Sequence, residues 1–158
     1  MTHKYVIVHF VRGDPEQKEF KSSDWPLHVT LSGNFNTNET EVGLVNKLLS
    51  YSQTLSPITL KVGRKEMFGP NKNIEVNVLE MNEEILNLHL GLKDTLDSLE
   101  STFDTPQYVG SGYKAHSTVQ GDDKLNDGED ITIKSFSLVD MEPNGDTGKR
   151  RFIKTFSF

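Results

Sequence analysis

The feature that most constrains this chain is a nine-residue frame that occurs twice. Residues 25–33 read WPLHVTLSG and residues 113–121 read YKAHSTVQG. Aligned, Trp25, His28, Thr30, Leu31 and Gly33 fall against Tyr113, His116, Thr118, Val119 and Gly121. The apolar alternation makes each frame a strand, and strand side chains alternate between faces. Leu27, Val29 and Leu31 then point into a core, while His28, Thr30 and Ser32 face the other way. In the second frame Ala115, Ser117 and Val119 turn inward, leaving His116, Thr118 and Gln120 together. A chain with five histidines thus sets an imidazole beside a hydroxyl on each of two rigid strands.

The remaining segments supply the scaffold. Residues 4–11, KYVIVHFV, are β-branched and aromatic and read as a buried strand. Residues 12–24 form a polar loop leading to the first frame. Asn38 with Glu41 resembles a capping box for a helix over 39–53, with Val42, Val45, Leu48 and Leu49 as its apolar stripe. Pro57 precedes the strand ITLKVG, the turn FGPNKN spans 68–73, and IEVNVLE alternates cleanly. A longer helix is expected over 83–103, with the stripe Ile85, Leu88, Leu92, Leu96, Leu99 and Phe103. Glu83 and Glu84 suit its positive N-terminal end. After the second frame comes the acidic loop GDDKLNDGED, then ITIKSFSLVDM and RRFIKTFSF joined by the hairpin signal EPNGDTG. Strands outnumber helices and short turns join them, so the chain reads as α+β with antiparallel pairing. The echo between its halves points to one domain over 1–158, made of two similar lobes sharing a core.

Composition narrows the chemistry. With no cysteine in the chain, disulfides, thiolate metal sites and thiol nucleophiles are excluded, which fits a cytoplasmic protein. No apolar run is long enough to span a bilayer, and MTHKYVIVHF reads as a strand rather than a signal peptide, so no membrane partner is expected. A net charge of −6 argues against long duplex nucleic acid, whose binding rests on phosphate neutralisation. Lys149, Arg150, Arg151 and Lys154 form one dense basic cluster, whose plain reading is a solvated strand end.

Two imidazoles and two hydroxyls without a thiol suit in-line attack at phosphorus. One neutral His takes a proton from the attacking water or 2′-hydroxyl, and the other, protonated, gives one to the leaving oxygen. A pKa of about 6.5 lets imidazole do either near neutral pH. Thr30 and Thr118 can donate to the non-bridging oxygens, and Trp25 and Tyr113 at the cleft mouth could stack on bases. This scheme needs no metal and no cofactor, and neither frame has zinc-ligand spacing. A structural reading, two strand histidines bonded to nearby backbone, stays open beside it. His9 reads as a satisfied sheet histidine, His89 as helix packing and His3 as solvated.

The paired HVTL and HSTV motifs resemble the two His-x-Thr/Ser-hydrophobic motifs of the 2H phosphoesterase superfamily. That group includes 2′-5′ RNA ligase-like proteins, cyclic phosphodiesterases and 2′-5′ oligoadenylate-degrading enzymes. VGRKEMFGPNKNIEVNVLE and the closing ITIKSFSLVDM support the resemblance, which covers nearly the whole chain. It implies His28 and His116 as the catalytic pair and Thr30 and Thr118 as phosphate-binding hydroxyls. It also implies a bilobal fold, two antiparallel β-sheet units with outer helices, related by a pseudo-two-fold around a central cleft. The activity implied is metal-independent hydrolysis of 2′,3′-cyclic or 2′-5′ phosphodiester linkages. One departure is Ala115, where the family often has Pro before the second His; Pro26 sits one residue earlier in the first frame.

The expected substrate is a small nucleotide or short RNA end, cyclic dinucleotides included, acted on by a monomer. Lys114, Arg150 and the turn residue Phe68 are further candidates for substrate binding. Gly110, Ser111 and Gly112 read as a loop free to adjust around a ligand. The reverse reaction, 2′-5′ RNA ligation, uses the same residues. A noncatalytic nucleotide-binding module would need the aromatics and hydroxyls but not both imidazoles.

Overall fold

A computed structural model describes residues 2–158 of the chain. Its strands are β1 (His3–Phe10), β2 (Glu19–Lys21), β3 (His28–Thr37), β4 (Ile58–Phe68), β5 (Ile74–Leu79), β6 (Thr102–Phe103), β7 (His116–Thr118), β8 (Asp130–Ile133), β9 (Ser135–Asp140) and β10 (Lys149–Ser157). The two helices are α1 (Glu41–Ser52) and α2 (Glu83–Asp97). The strands join one sheet in the order β2-β10-β9-β1-β3-β7-β5-β4-β8, with β6 attached to β3. Every registered pairing is antiparallel. The fold is α+β, as its alternating strands and short turns predict.

The order puts the two histidine strands side by side in mid-sheet. β1, β9, β10 and β2 extend from β3, and β5, β4 and β8 extend from β7. The two flanks are therefore not the two halves of the chain: both ends of the chain build one flank and its middle builds the other. ITIKSFSLVDM shows how. Expected as one strand, it divides at Lys134, with β8 pairing β4 and β9 pairing β1 and β10. Apolar alternation runs through both pieces and carries no mark of the change of partner.

Both helices lie on one face. Leu44 and Leu48 of α1 and Ile85, Leu88, Leu92 and Leu96 of α2 are buried in a single cluster with Val29, Leu31, Ala115 and Ile133. The α1 stripe is phased differently from the expected one, since Val42 is 71% exposed and Leu49 38%. The N-cap is Thr40 rather than Asn38, its hydroxyl accepting the Gly43 N–H at 3.0 Å. At α2, Asn82 caps by accepting the Ile85 N–H at 2.9 Å. This helix stops earlier than its stripe suggests. Glu100 adopts a φ of 56°, and the Ser101 and Glu100 amides return to the Leu96 and Asp97 carbonyls at 3.2 and 3.0 Å. This is a Schellman ending with Glu in the usual glycine place, and it frees Phe103 to pair with Phe35 in β3.

The helices meet closely at Gly91. A β-carbon there would collide with the Tyr51 hydroxyl, which donates to the Leu88 carbonyl at 3.2 Å. Helix propensity alone favours Ala by about 1 kcal/mol. Overpacking of this kind costs about 1–3 kcal/mol. Gly91→Ala is therefore expected to lower stability in a urea titration, and a Tyr51→Phe background to recover little of the loss, because ring carbons of residue 51 also overlap the new β-carbon.

Candidate active site

A single ladder pair, Val29 opposite Ser117, joins the two histidine strands. Both side chains are buried, at 0% and 1% exposure, so their neighbours turn to the other face of the sheet. The register sets His28 opposite Thr118 and Thr30 opposite His116. The four side chains form a two-by-two patch with the imidazoles on one diagonal, where positions lie about 7–8 Å apart. Ser32 leaves this row, because a register shift places it opposite the core residue Ile7 and it is buried.

The two imidazoles are held the same way. His28 Nδ1 lies 2.8 Å from the Pro26 carbonyl, and His116 Nδ1 lies 2.9 Å from the Lys114 carbonyl. A carbonyl only accepts, so each Nδ1 carries a proton. Each Nε2 is left as the working atom, and among the described residues neither Nε2 has a protein partner. The same holds for the Thr30 and Thr118 hydroxyls. With Ala115 before the second His and Leu27 before the first, the carbonyl two residues upstream orients the ring in both frames.

The surroundings of the two rings differ. Phe10 pairs with His28 across β1, its ring centroid 6.3 Å away, and Trp25 tilts over the same imidazole at 4.6 Å. Phe20 backs Trp25 at 5.1 Å, and these aromatics with Phe152 join the small cluster of Val6, Val8 and Val139. Burial against this wall lowers the His28 pKa from its usual 6.5; the bond to Pro26 opposes the shift and the charge of His116 adds to it. His116 instead meets Phe68 edge to face at 4.9 Å, with Val78 opposite it on β5. Lys114 reaches the same spot, its ammonium 5.3 Å from the Phe68 ring and 3.0 Å from Glu66.

Trp25, Phe68 and Lys114 therefore stand at the patch. Two other candidates do not. Tyr113 is the counterpart of Trp25 in the repeated frame, yet it packs against the helix-side core and lies flat on His89 at 4.0 Å. It shares the parity of Ala115 and Ser117, so it cannot stack on a base at the patch. Arg150 spends one guanidinium nitrogen on the Met141, Thr147 and Lys149 carbonyls, each at 2.9 Å, and so ties its own hairpin. The rest of that basic cluster is engaged too. Lys149 pairs with Glu19 at 3.2 Å, Arg151 with Glu41 and Asp140, and Lys154 lies over Phe156.

The remaining histidines divide as expected. His9 is 7% exposed and bonds the Ser135 carbonyl at 3.0 Å. His89 is buried in α2 and bonds the Leu31 carbonyl at 2.8 Å. Sequence reasoning missed Phe10, Phe20 and Glu66. Phe10 was recoverable from parity in β1, but Phe20 lies in a three-residue strand inside a polar loop. Among the described residues no three His, Cys, Asp or Glu side chains converge as a metal site. No helix there is long and apolar enough to cross a membrane.

No family model matches the chain. A Bacillus licheniformis protein provisionally named a phosphoesterase is 34% identical over 105 residues, 66% of this chain and 56% of that protein. A Bacillus pumilus protein of the same provisional name is 35% identical over 105 residues, with the same coverage. The chain thus spans about half the length of the curated relatives it matches. Among solved structures, TT0787 of Thermus thermophilus superposes with a TM-score of 0.56 at 17% identity, covering 98% of this chain and 97% of that one. Escherichia coli LigT complexed with 3′-AMP superposes at 0.59 and 11% identity, covering 100% and 99%. These structures share the fold. In sequence the chain is similar to the two Bacillus proteins provisionally named phosphoesterases, and in fold to TT0787 and LigT.

Proposed function

We propose that the chain is a metal-independent phosphodiesterase that hydrolyses 2′,3′-cyclic or 2′-5′ linkages of a small nucleotide or short RNA end. The observation that carries this reading is the matched pair of imidazoles, each pinned through Nδ1 to the carbonyl two residues before it. His28 Nε2 takes a proton from water as the water oxygen bonds to phosphorus. The bond from phosphorus to the ribose oxygen breaks, and His116 Nε2–H protonates that oxygen. A cyclic phosphate opens to a monophosphate, and proton exchange with solvent restores both rings. His28 is the base because its aromatic wall favours the neutral ring. Thr30 and Thr118 donate to the non-bridging oxygens and keep attack in line.

The patch supports a small substrate. Trp25 and Phe68 offer ring surface beside the two imidazoles, and Lys114, shared with Glu66, brings a cation to the Phe68 side. A net charge of −6 suits one or two phosphates better than a long backbone. LigT, which shares the fold, has been crystallised with 3′-AMP, ATP and NADP+, which favours a small nucleotide as ligand. We further propose a cytoplasmic monomer: a cysteine-free chain suits a reducing compartment, and the patch draws all its groups from one copy.

The test is turnover of a panel of 2′,3′-cyclic mononucleotides, 2′-5′ oligoadenylates and cyclic dinucleotides by EDTA-treated protein, with products resolved chromatographically. Hydrolysis of at least one class is expected. Binding without turnover would replace the enzyme with a nucleotide-binding module, and joined RNA ends in place of cleaved ones would reverse the direction.

A further inference from the structure

We propose that Tyr113 and His89 are positioning residues, a buried strut that holds the two histidine strands in catalytic register. The role rests on the two-histidine reading above. The need for a strut follows from the seam itself. β1 pairs with β3 from His3 opposite Thr37 to Phe10 opposite His28, whereas β3 and β7 share one registered pair. One ladder pair between a ten-residue strand and a three-residue strand is a weak joint for groups that must transfer protons at hydrogen-bond range.

The strut crosses this joint on the face away from the patch. Tyr113 Oη–H donates to the Thr30 carbonyl at 2.8 Å, and its ring stacks on His89 with a 6° tilt. His89 Nε2 accepts the Gly110 N–H at 2.9 Å. A backbone amide only donates, so the His89 proton sits on Nδ1 and goes to the Leu31 carbonyl at 2.8 Å. His89 is 1% exposed with both nitrogens satisfied. The Thr30 and Leu31 carbonyls belong to the first frame. Gly110, at a φ of 76°, opens the turn that leads through Tyr113 and Lys114 to His116. The Gly110–Gly112 turn is thereby anchored at both ends and is not a loop free to follow a ligand. Tyr113 lies on the opposite face of the sheet from the His28 and His116 imidazoles; it fixes the backbone that carries Thr30 relative to the one that carries His116.

Tyr113→Phe keeps the ring stack and removes only the bond to Thr30. The expected result has two parts. Hydrogen exchange of the amides of residues 28–30 and 116–118 accelerates by about tenfold relative to the β1–β9 ladder. On the preferred panel substrate kcat falls by about ten- to a hundredfold, with KM within about twofold of the unmodified value. Unchanged exchange at the seam, or unchanged kcat in a variant with a loosened seam, overturns the proposal. If the unmodified protein turns over nothing in the panel, the enzymatic reading fails on its own, and the exchange comparison still decides whether Tyr113 holds the strands.

Discussion

Replacing either His28 or His116 by Ala is expected to lower kcat by at least about a hundredfold, while the protein stays folded. The loss follows from the proposed division of labour: each imidazole would handle a different proton, and among the described residues no side chain hydrogen-bonds to either Nε2. Survival of the fold follows from the contacts. Each ring makes one hydrogen bond, to a carbonyl two residues earlier in the chain, so its removal breaks no link between strands. A local bond of this kind is worth about 0.5–1.5 kcal/mol net, and His28→Ala adds the loss of packing against Trp25. Because the two protons move in one displacement, the double variant should be little slower than either single one. Circular dichroism with steady-state kinetics on the same preparations checks both halves. Full activity in the double variant would remove the proposed mechanism.

Much of the fold was legible because periodicity is a local property. The strands at β1, β4, β5 and β10 stand where alternation places them, and both helices begin close to their polar caps. What failed was information held in tertiary partners. The α2 stripe continues through Leu99 and Phe103, but Glu100 turns the chain left-handed and Phe103 joins the sheet. In α1 the buried positions are Leu44 and Leu48, chosen by where the helix meets the sheet and not by hydrophobicity, since Val42 is as apolar and stands in solvent. β2, in a polar loop, has no pattern to read; its pairing with β10 defines it.

The patch was legible to the same depth. Two frames with His and Thr at alternate positions had to present both side chains on one face, and antiparallel pairing through Val29 and Ser117 brings the faces together. The aromatic column of the alignment misled. Trp25 precedes its strand and folds over His28, whereas Tyr113 keeps the parity of the core and turns to His89. The ring at His116 comes instead from Phe68, at the far end of β4 and distant in the chain, which only the fold could reveal. Arg150 failed for another reason: a guanidinium beside a tight hairpin finds backbone carbonyls closer than any substrate.

The pH dependence of kcat/KM distinguishes a histidine pair from other routes to the same products. The base must be neutral, so the rate rises as pH climbs through the His28 pKa, which burial holds below the usual 6.5. The acid must be protonated, so the rate falls again as rising pH strips the proton from the acid. The result is a bell, each limb approaching tenfold per pH unit, and lowering the base's pKa broadens its acid side. The measurement that tests the account most directly is this profile in EDTA, for the unmodified protein and for His28→Ala on the same substrate. The account predicts a bell whose acid limb lies below pH 6.5 and disappears from the residual activity of His28→Ala. A rate that keeps climbing into alkaline solution, or an acid limb that survives the loss of His28, would contradict it.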